Sequence, residues 1–174
     1  MGPLDGNLII EKLRRLDREC QLLGLNMSLV LSGGAAMVLG YQCPMVTFDI
    51  DSVSRIPNYL LDKYGIDFTT KDFLNLPDEY AERIREQYLG LTNLKVFTLS
   101  PIDLILSKLG RGSGKDIDDC CYLIKNSNVD VKALVEIFED WKIDYVGDPN
   151  RLQGTFAHIL DRCGFAYEEE KKGL

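Results

Sequence analysis

The sequence predicts an α/β domain, and three observations carry that reading. Stretches with apolar residues at helical spacing alternate with short β-branched or apolar runs of strand length. One such run, Met27-Ser28-Leu29-Val30-Leu31, leads straight into Ser32-Gly33-Gly34 and a small-residue segment, as a strand-turn-helix does. The last third of the chain carries only helical patterns. At 174 residues the chain is long enough for one domain with a small helical appendage and its own core.

The elements follow in order. Leu8, Ile9, Leu13, Leu16, Cys20 and Leu23 predict an amphipathic helix over 7–23, stopped by Gly24. After the first strand, 35–41 reads as a short helix ended by Gly40. Residues 45–53 alternate as a strand, with Phe48 and Ile50 on one face and Thr47, Asp49 and Asp51 on the other. Pro57 opens a helix over 58–64, and 67–78 is loop-like up to the breaker Pro77. Residues 79–88 have helical composition yet also suit extended chain. Leu94-Lys95-Val96-Phe97-Thr98-Leu99 is a strand. Ser100-Pro101 then starts a helix, with proline at its first position. A glycine-rich loop at 110–114, a helix over 115–125, and helices near 130–141 and 149–163 complete the pattern. The run Glu168-Glu169-Glu170-Lys171-Lys172 reads as a solvated end.

Composition bounds the function. Apolar residues make up 45% and charged residues 27%, as in an ordinary globular protein. The net charge of −7 argues against sequence-independent binding to a nucleic-acid backbone, which needs a basic surface. Five cysteines, an odd number without a C-x-x-C pair, fit a reduced cytoplasmic setting. The start Gly2-Pro3-Leu4-Asp5 is neither basic nor apolar, so no secretory leader is expected there, and no apolar run reaches membrane-span length.

Four features carry chemistry. Glycines at 33 and 34 let a ligand approach the backbone at a helix N-terminus, where free N–H groups favour phosphate; a tight turn needs the same glycines. Asp49 and Asp51, two apart on a strand, project from one face, and their mutual repulsion is relieved by a cation such as Mg²⁺. The bland reading is a solvent-facing strand edge. Asp103 lies in the first turn of its helix, where the dipole alone favours an acid. Lys108 lies about 140° further round that helix. Arg111 and Lys115 flank the glycine-rich loop and could bind phosphates, although the loop lacks the Lys-Ser/Thr ending of a P-loop. Capping alone explains Asp116, whereas Asp119, a turn further in, is harder to explain that way.

Together these segments carry a resemblance. Ser32-Gly33-Gly34-Ala35-Ala36, Thr47-Phe48-Asp49-Ile50-Asp51, Asp103 to Arg111 and Lys115-Asp116-Ile117-Asp118-Asp119 resemble the nucleotidyltransferase superfamily, in particular its AbiEii-like and minimal branch, some of whose members are toxins of toxin–antitoxin pairs. The resemblance implies a mixed sheet flanked by helices, with the core over 1–125 and a helical extension over 126–174. It implies Mg²⁺ on Asp49 and Asp51, and a nucleoside triphosphate on Ser32, Gly33 and Gly34. Lys108 and Arg111 would neutralise phosphate charge, with Lys115, Asp116 and Asp119 beside them. The expected reaction moves a nucleoside monophosphate from an NTP to an RNA, a protein or a small molecule.

Such enzymes commonly carry a third carboxylate on a later strand, and the strand over 94–99 contains none. Asp67 serves if its segment is a strand; Asp103 is the other candidate. If neither reaches the pair, the expectation becomes a degenerate binding or partner module, antitoxin-like. The lone His158 and the aromatics Trp141 and Tyr145 read as surface or packing residues, and Cys43 as a buried thiol.

Overall fold

The computed structural model describes residues 2–167; the charge run at 168–172 lies outside the described residues. The chain forms two compact units, one of residues 1–74 and 78–100, the other of 75–77 and the chain from Pro101 onward. No helix among the described residues is long and apolar enough to cross a membrane.

The first unit is a five-stranded mixed sheet with three helices. In chain order it contains α1 (Gly6–Leu22), β1 (Met27–Leu31), α2 (Gly33–Tyr41), β2 (Ile50–Ser52), α3 (Asn58–Tyr64), β3 (Ile66–Phe68), a 3-10 turn (Asp78–Glu82), β4 (Arg85–Gln87) and β5 (Leu94–Thr98). The strands lie in the order β3-β2-β1-β5-β4. β1 pairs parallel with β5 and antiparallel with β2, β2 pairs parallel with β3, and β4 pairs antiparallel with β5. A parallel neighbour requires a crossover, and α3 supplies the one between β2 and β3.

The helices are those the apolar spacing demands. α1 buries Ile9, Leu13, Leu16 and Cys20 on one stripe, opened by Asp5, whose carboxylate accepts from the Leu8 amide. Leu8 and Leu23, expected on that stripe, are 44% and 47% exposed because they fall at its margins. α1 also ties down the entry to β5. The Asp17 carboxylate accepts from the amides of Asn93 at 2.7 Å, Leu94 at 2.9 Å and Thr92 at 3.1 Å. These amides precede or begin the strand, and the Asp17 side chain satisfies them.

Three local expectations are corrected. Gly40 does not end α2, which continues to Tyr41 and stops at Gln42 in the left-handed region with φ 52°. Gly40 is instead a packing glycine, since a Cβ there would stand 2.8 Å from Thr98 Oγ1 of β5. Residues 45–53 are not one continuous strand. A bridge joins Leu4 to Thr47, regular pairing begins only at Ile50, and Phe48 is 63% exposed instead of sharing the buried face of Ile50. The stretch 67–78 opens with strand β3, whose three residues are too few to show a sequence period.

The second unit contains α4 (Pro101–Leu109), α5 (Gly114–Asn126), α6 (Val131–Trp141), a 3-10 turn (Lys142–Asp144) and α7 (Pro149–Arg162). Each later helix has a side-chain cap written in the sequence. Ser113 and Asp116 form a capping box on α5, Asp130 accepts from the Lys132 and Ala133 amides on α6, and Asp148 precedes Pro149 and accepts from the Asn150 and Arg151 amides on α7. Phe138 of α6 stacks on Phe156 of α7 at 3.8 Å between ring centres. Trp141 and Tyr145 extend this aromatic core, as their packing reading expected, and His158 is exposed.

Replacing Asp17 with Ala leaves three backbone amides without their acceptor. The variant is expected to lose about 1–3 kcal/mol in urea unfolding, with an unchanged m-value. A loss within experimental error would show that water replaces the carboxylate.

Candidate functional site

The chemistry of the first unit gathers where α2 leaves β1. Asp51 lies in β2 and Asp67 in β3, and the parallel register sets Asp51 opposite Asp67. Ile50, Ser52 and Ile66 are buried, so Asp51 and Asp67 project from the other face of these two strands. Asp49 lies one residue before β2, with Oδ1 held by the Thr47 hydroxyl, which donates at 3.0 Å. Each of the three carboxylates offers an oxygen, and these oxygens lie within 4.8 Å of one another.

Three negative charges this close repel strongly unless a cation lies among them. Oxygens on opposite sides of a cation bound at about 2.1–2.4 Å stand about 4.2–4.8 Å apart, so the set suits a small divalent ion with little movement. All three ligands are hard oxygens, which favours an alkaline-earth-type ion over a soft metal. Asp49, Asp51 and Asp67 are therefore the residues that could hold a metal.

The N-terminus of α2 abuts this cluster. Gly33 has φ +55°, and a Cβ there would lie 2.4 Å from Asp51 Oδ2. A Cβ on Gly34 would lie 2.5 Å from Thr47 Oγ1. Both glycines are required by close approach and Gly33 also by its backbone angle, which goes beyond what a tight turn asks. Ser32 precedes them with its amide donating to the Asp51 carbonyl at 2.9 Å, which fixes the turn to β2. Its side chain does not cap the helix, and its buried Oγ has no hydrogen-bond partner among the described residues. The first-turn amides of α2 also lack intrahelical acceptors. A buried hydroxyl without a partner at a helix N-terminus is a polar site suited to phosphate oxygens.

The remaining sequence-predicted residues belong to the second unit, where most are engaged with one another. Asp103 is fully buried in the first turn of α4 and is not a member of the carboxylate set. Lys108, 5% exposed, donates to Asp119 Oδ2 at 2.7 Å and lies 3.7 Å from Asp116 Oδ1. Asp119, which capping could not explain, is thus the buried counter-ion of Lys108. Asp116 closes the capping box with Ser113 and accepts from Arg111 at 2.9 Å. Burial alone would raise the Asp116 carboxyl, but the Ser113 hydrogen bonds and the charges of Arg111 and Lys108 outweigh it and hold it below the usual carboxylate range. Lys115 is exposed, and the Arg111 side chain is largely so. Cys43, expected buried, is half-buried.

A family model described as "Nucleotidyltransferase of unknown function (DUF6036)" matches residues 11–172, nearly the whole chain. The chain belongs to this family. No curated protein and no solved structure matches it. Membership of this nucleotidyltransferase family agrees with the superfamily expected from the Gly-Gly and Asp-x-Asp segments. Of the two candidates for a third acid, Asp67 joins Asp49 and Asp51 in the carboxylate set, and Asp103, expected among the catalytic acids, does not. The only signal for Asp67 was its apolar neighbours Ile66 and Phe68. Thr47 was noted as part of a motif, and its hold on Asp49 is visible only in three dimensions.

Two predictions test this geometry. Gly33→Ala forces a Cβ into Asp51 and a non-glycine into positive φ, so it is expected to lose roughly 1–3 kcal/mol of stability by urea unfolding. Equal stability would show that the Asp51 side chain swings away freely. For Asp116 the sign follows from its lowered carboxyl. Its stabilisation is present above the unfolded-state value of 3.8 and is lost as pH falls through the lower folded value. The Tm gap between wild type and Asp116→Asn is therefore expected to be widest near pH 7 and to narrow below about pH 4. A gap independent of pH would mean that the charge contributes nothing.

Proposed function

We propose that this family member is a Mg²⁺-dependent nucleotidyltransferase that moves a nucleoside monophosphate from an NTP to an acceptor hydroxyl. One observation carries the reading: three carboxylates converge at the N-terminus of α2, beside a buried hydroxyl without a partner. Asp67 supplies the third acid whose absence would favour a non-catalytic module.

In this reading Asp49, Asp51 and Asp67 hold the cation. Bound there, Mg²⁺ supplies positive charge to the phosphates and acidifies a coordinated hydroxyl. The chain's own groups do the positioning. The Ser32 hydroxyl and the first-turn amides of α2 donate to oxygens of the triphosphate. Gly33 and Gly34 keep the approach clear, because side chains there would already collide with Asp51 and Thr47. Thr47 fixes the Asp49 rotamer, so one ligand is oriented before the ion arrives. The net charge of −7 favours a protein or small-molecule acceptor over a long RNA, whose backbone the surface as a whole repels.

Calorimetric NTP binding with and without Mg²⁺ tests the proposal. The wild type is expected to bind only with the ion. Asp51→Asn and Asp67→Asn remove a direct ligand and are expected to weaken binding by more than the roughly 10–100-fold of an outer-shell change. Equal binding by all three proteins, or none by the wild type, overturns it. A stability measurement in chelator separates this from misfolding. Relief of charge repulsion should leave both variants at least as stable as the wild type when no metal is present.

A further inference from the structure

The proposed reaction uses no cysteine, and no disulfide joins the described cysteines. Two of them nevertheless meet in the second unit. Cys121 is buried on α5, and its thiol donates to the Ile159 carbonyl of α7 at 3.9 Å. The backbone amide of Cys163 donates to that same carbonyl at 3.2 Å. Cys163 is the residue that caps the C-terminal end of α7, and its half-buried thiol lies within electrostatic range of the Cys121 thiol. Two further contacts hold the helices in this register. Arg162 pairs with Asp118 at 3.0 Å, and Lys125 donates to the Arg162 carbonyl at 3.4 Å. Asp118, Cys121 and Lys125 are spaced as one stripe of a helix, so the stripe presents a thiol between two polar clamps.

We propose that Cys121 and Cys163 are an oxidative modification site, forming a disulfide that ties α5 to the end of α7 when a low-molecular-weight disulfide such as oxidised glutathione is present. The Cys163 thiolate attacks one sulfur of the reagent, making a mixed disulfide and releasing one reagent thiolate, which takes up the proton. The Cys121 sulfur then attacks Cys163 Sγ, displacing the second reagent thiol. Two protein thiols are oxidised to one disulfide while one reagent disulfide is reduced to two thiols. Cys163 reacts first because it is the more exposed of the two. Cys120, the neighbour of Cys121, cannot substitute. Its fully buried thiol faces the other way, toward the Ile105 carbonyl of α4 at 3.8 Å, and burial pushes it far above the ordinary thiol value. Burial and the neighbouring Cys121 thiol also push Cys163 up, to about 11. Little thiolate is present at neutral pH, so the link forms slowly there, and its rate rises about tenfold per pH unit until near that value.

The experiment incubates the folded full-length chain with oxidised glutathione, blocks remaining thiols in denaturant and maps peptides by mass spectrometry. The expected product joins Cys121 to Cys163 with Cys120 still blocked as a free thiol. It should form faster at pH 9 than at pH 7 and raise the Tm by roughly 5–10 °C until reductant is added. Cys163→Ser is expected to give neither cross-link nor Tm rise, whereas Cys43→Ser behaves as wild type. A stable glutathione adduct on Cys163 with Cys121 free, a link through Cys120, or no reaction of the wild type at pH 9 each overturns the proposal. The three overturning outcomes are all read on the wild type, so none of them depends on the variants folding.

Discussion

Like charges brought together by backbone pairing are the constraint on which the first unit turns. β2 and β3 are each three residues long, yet their parallel register sets Asp51 beside Asp67, and the chain entering β2 adds Asp49. Nothing in packing rewards three carboxylate oxygens within 4.8 Å of one another. The surrounding structure accommodates them by withholding side chains at Gly33 and Gly34 and by fixing the Asp49 rotamer through Thr47. The buried faces of the same strands, through Ile50, Ser52 and Ile66, anchor the register that holds the acids in place. Stability is thus drawn from one face of the strands and chemistry is placed on the other.

The charges of the second unit meet the opposite fate. Lys108 is buried against Asp119 with Asp116 nearby, and Arg111 completes Asp116 from the surface. A buried ammonium needs such partners, because leaving either side unpaired inside the protein costs several kcal/mol, on the order of 3–5. The same residue types therefore read differently in the two units. The acids around Lys108 are compensated within the protein, whereas Asp49, Asp51 and Asp67 bring three carboxylate oxygens within 4.8 Å of one another. That contrast singles out the Asp49, Asp51 and Asp67 cluster as the place for a ligand.

Much of this was legible in the residues. The 3.6-residue spacing of Ile9, Leu13, Leu16 and Cys20 specifies α1, and the caps Ser113, Asp130 and Asp148 mark where three helices begin. The Gly-Gly turn and the Asp-x-Asp pair pointed to the nucleotidyltransferase superfamily, and the family match agrees with that superfamily. Less legible were short elements whose form depends on neighbours. Three residues of β3 carry no period, Gly40 looks like a stop until Thr98 is seen against it, and Phe48 alternates correctly yet is left exposed.

By itself the sequence determined the alternation of helices and most strands, the resemblance to a nucleotidyltransferase family and the closeness of Asp49 to Asp51, because these rest on periodicity, capping and spacing within a few residues. Only the tertiary structure decided which third acid joins them. Asp67 lies 16 positions beyond Asp51 in the numbering and is brought beside it by the α3 crossover and the parallel pairing of two strands. Tertiary structure likewise decided that Lys108 is held by Asp119 and that Cys121 meets Cys163, since helix packing, not local spacing, sets which side chains share a buried space.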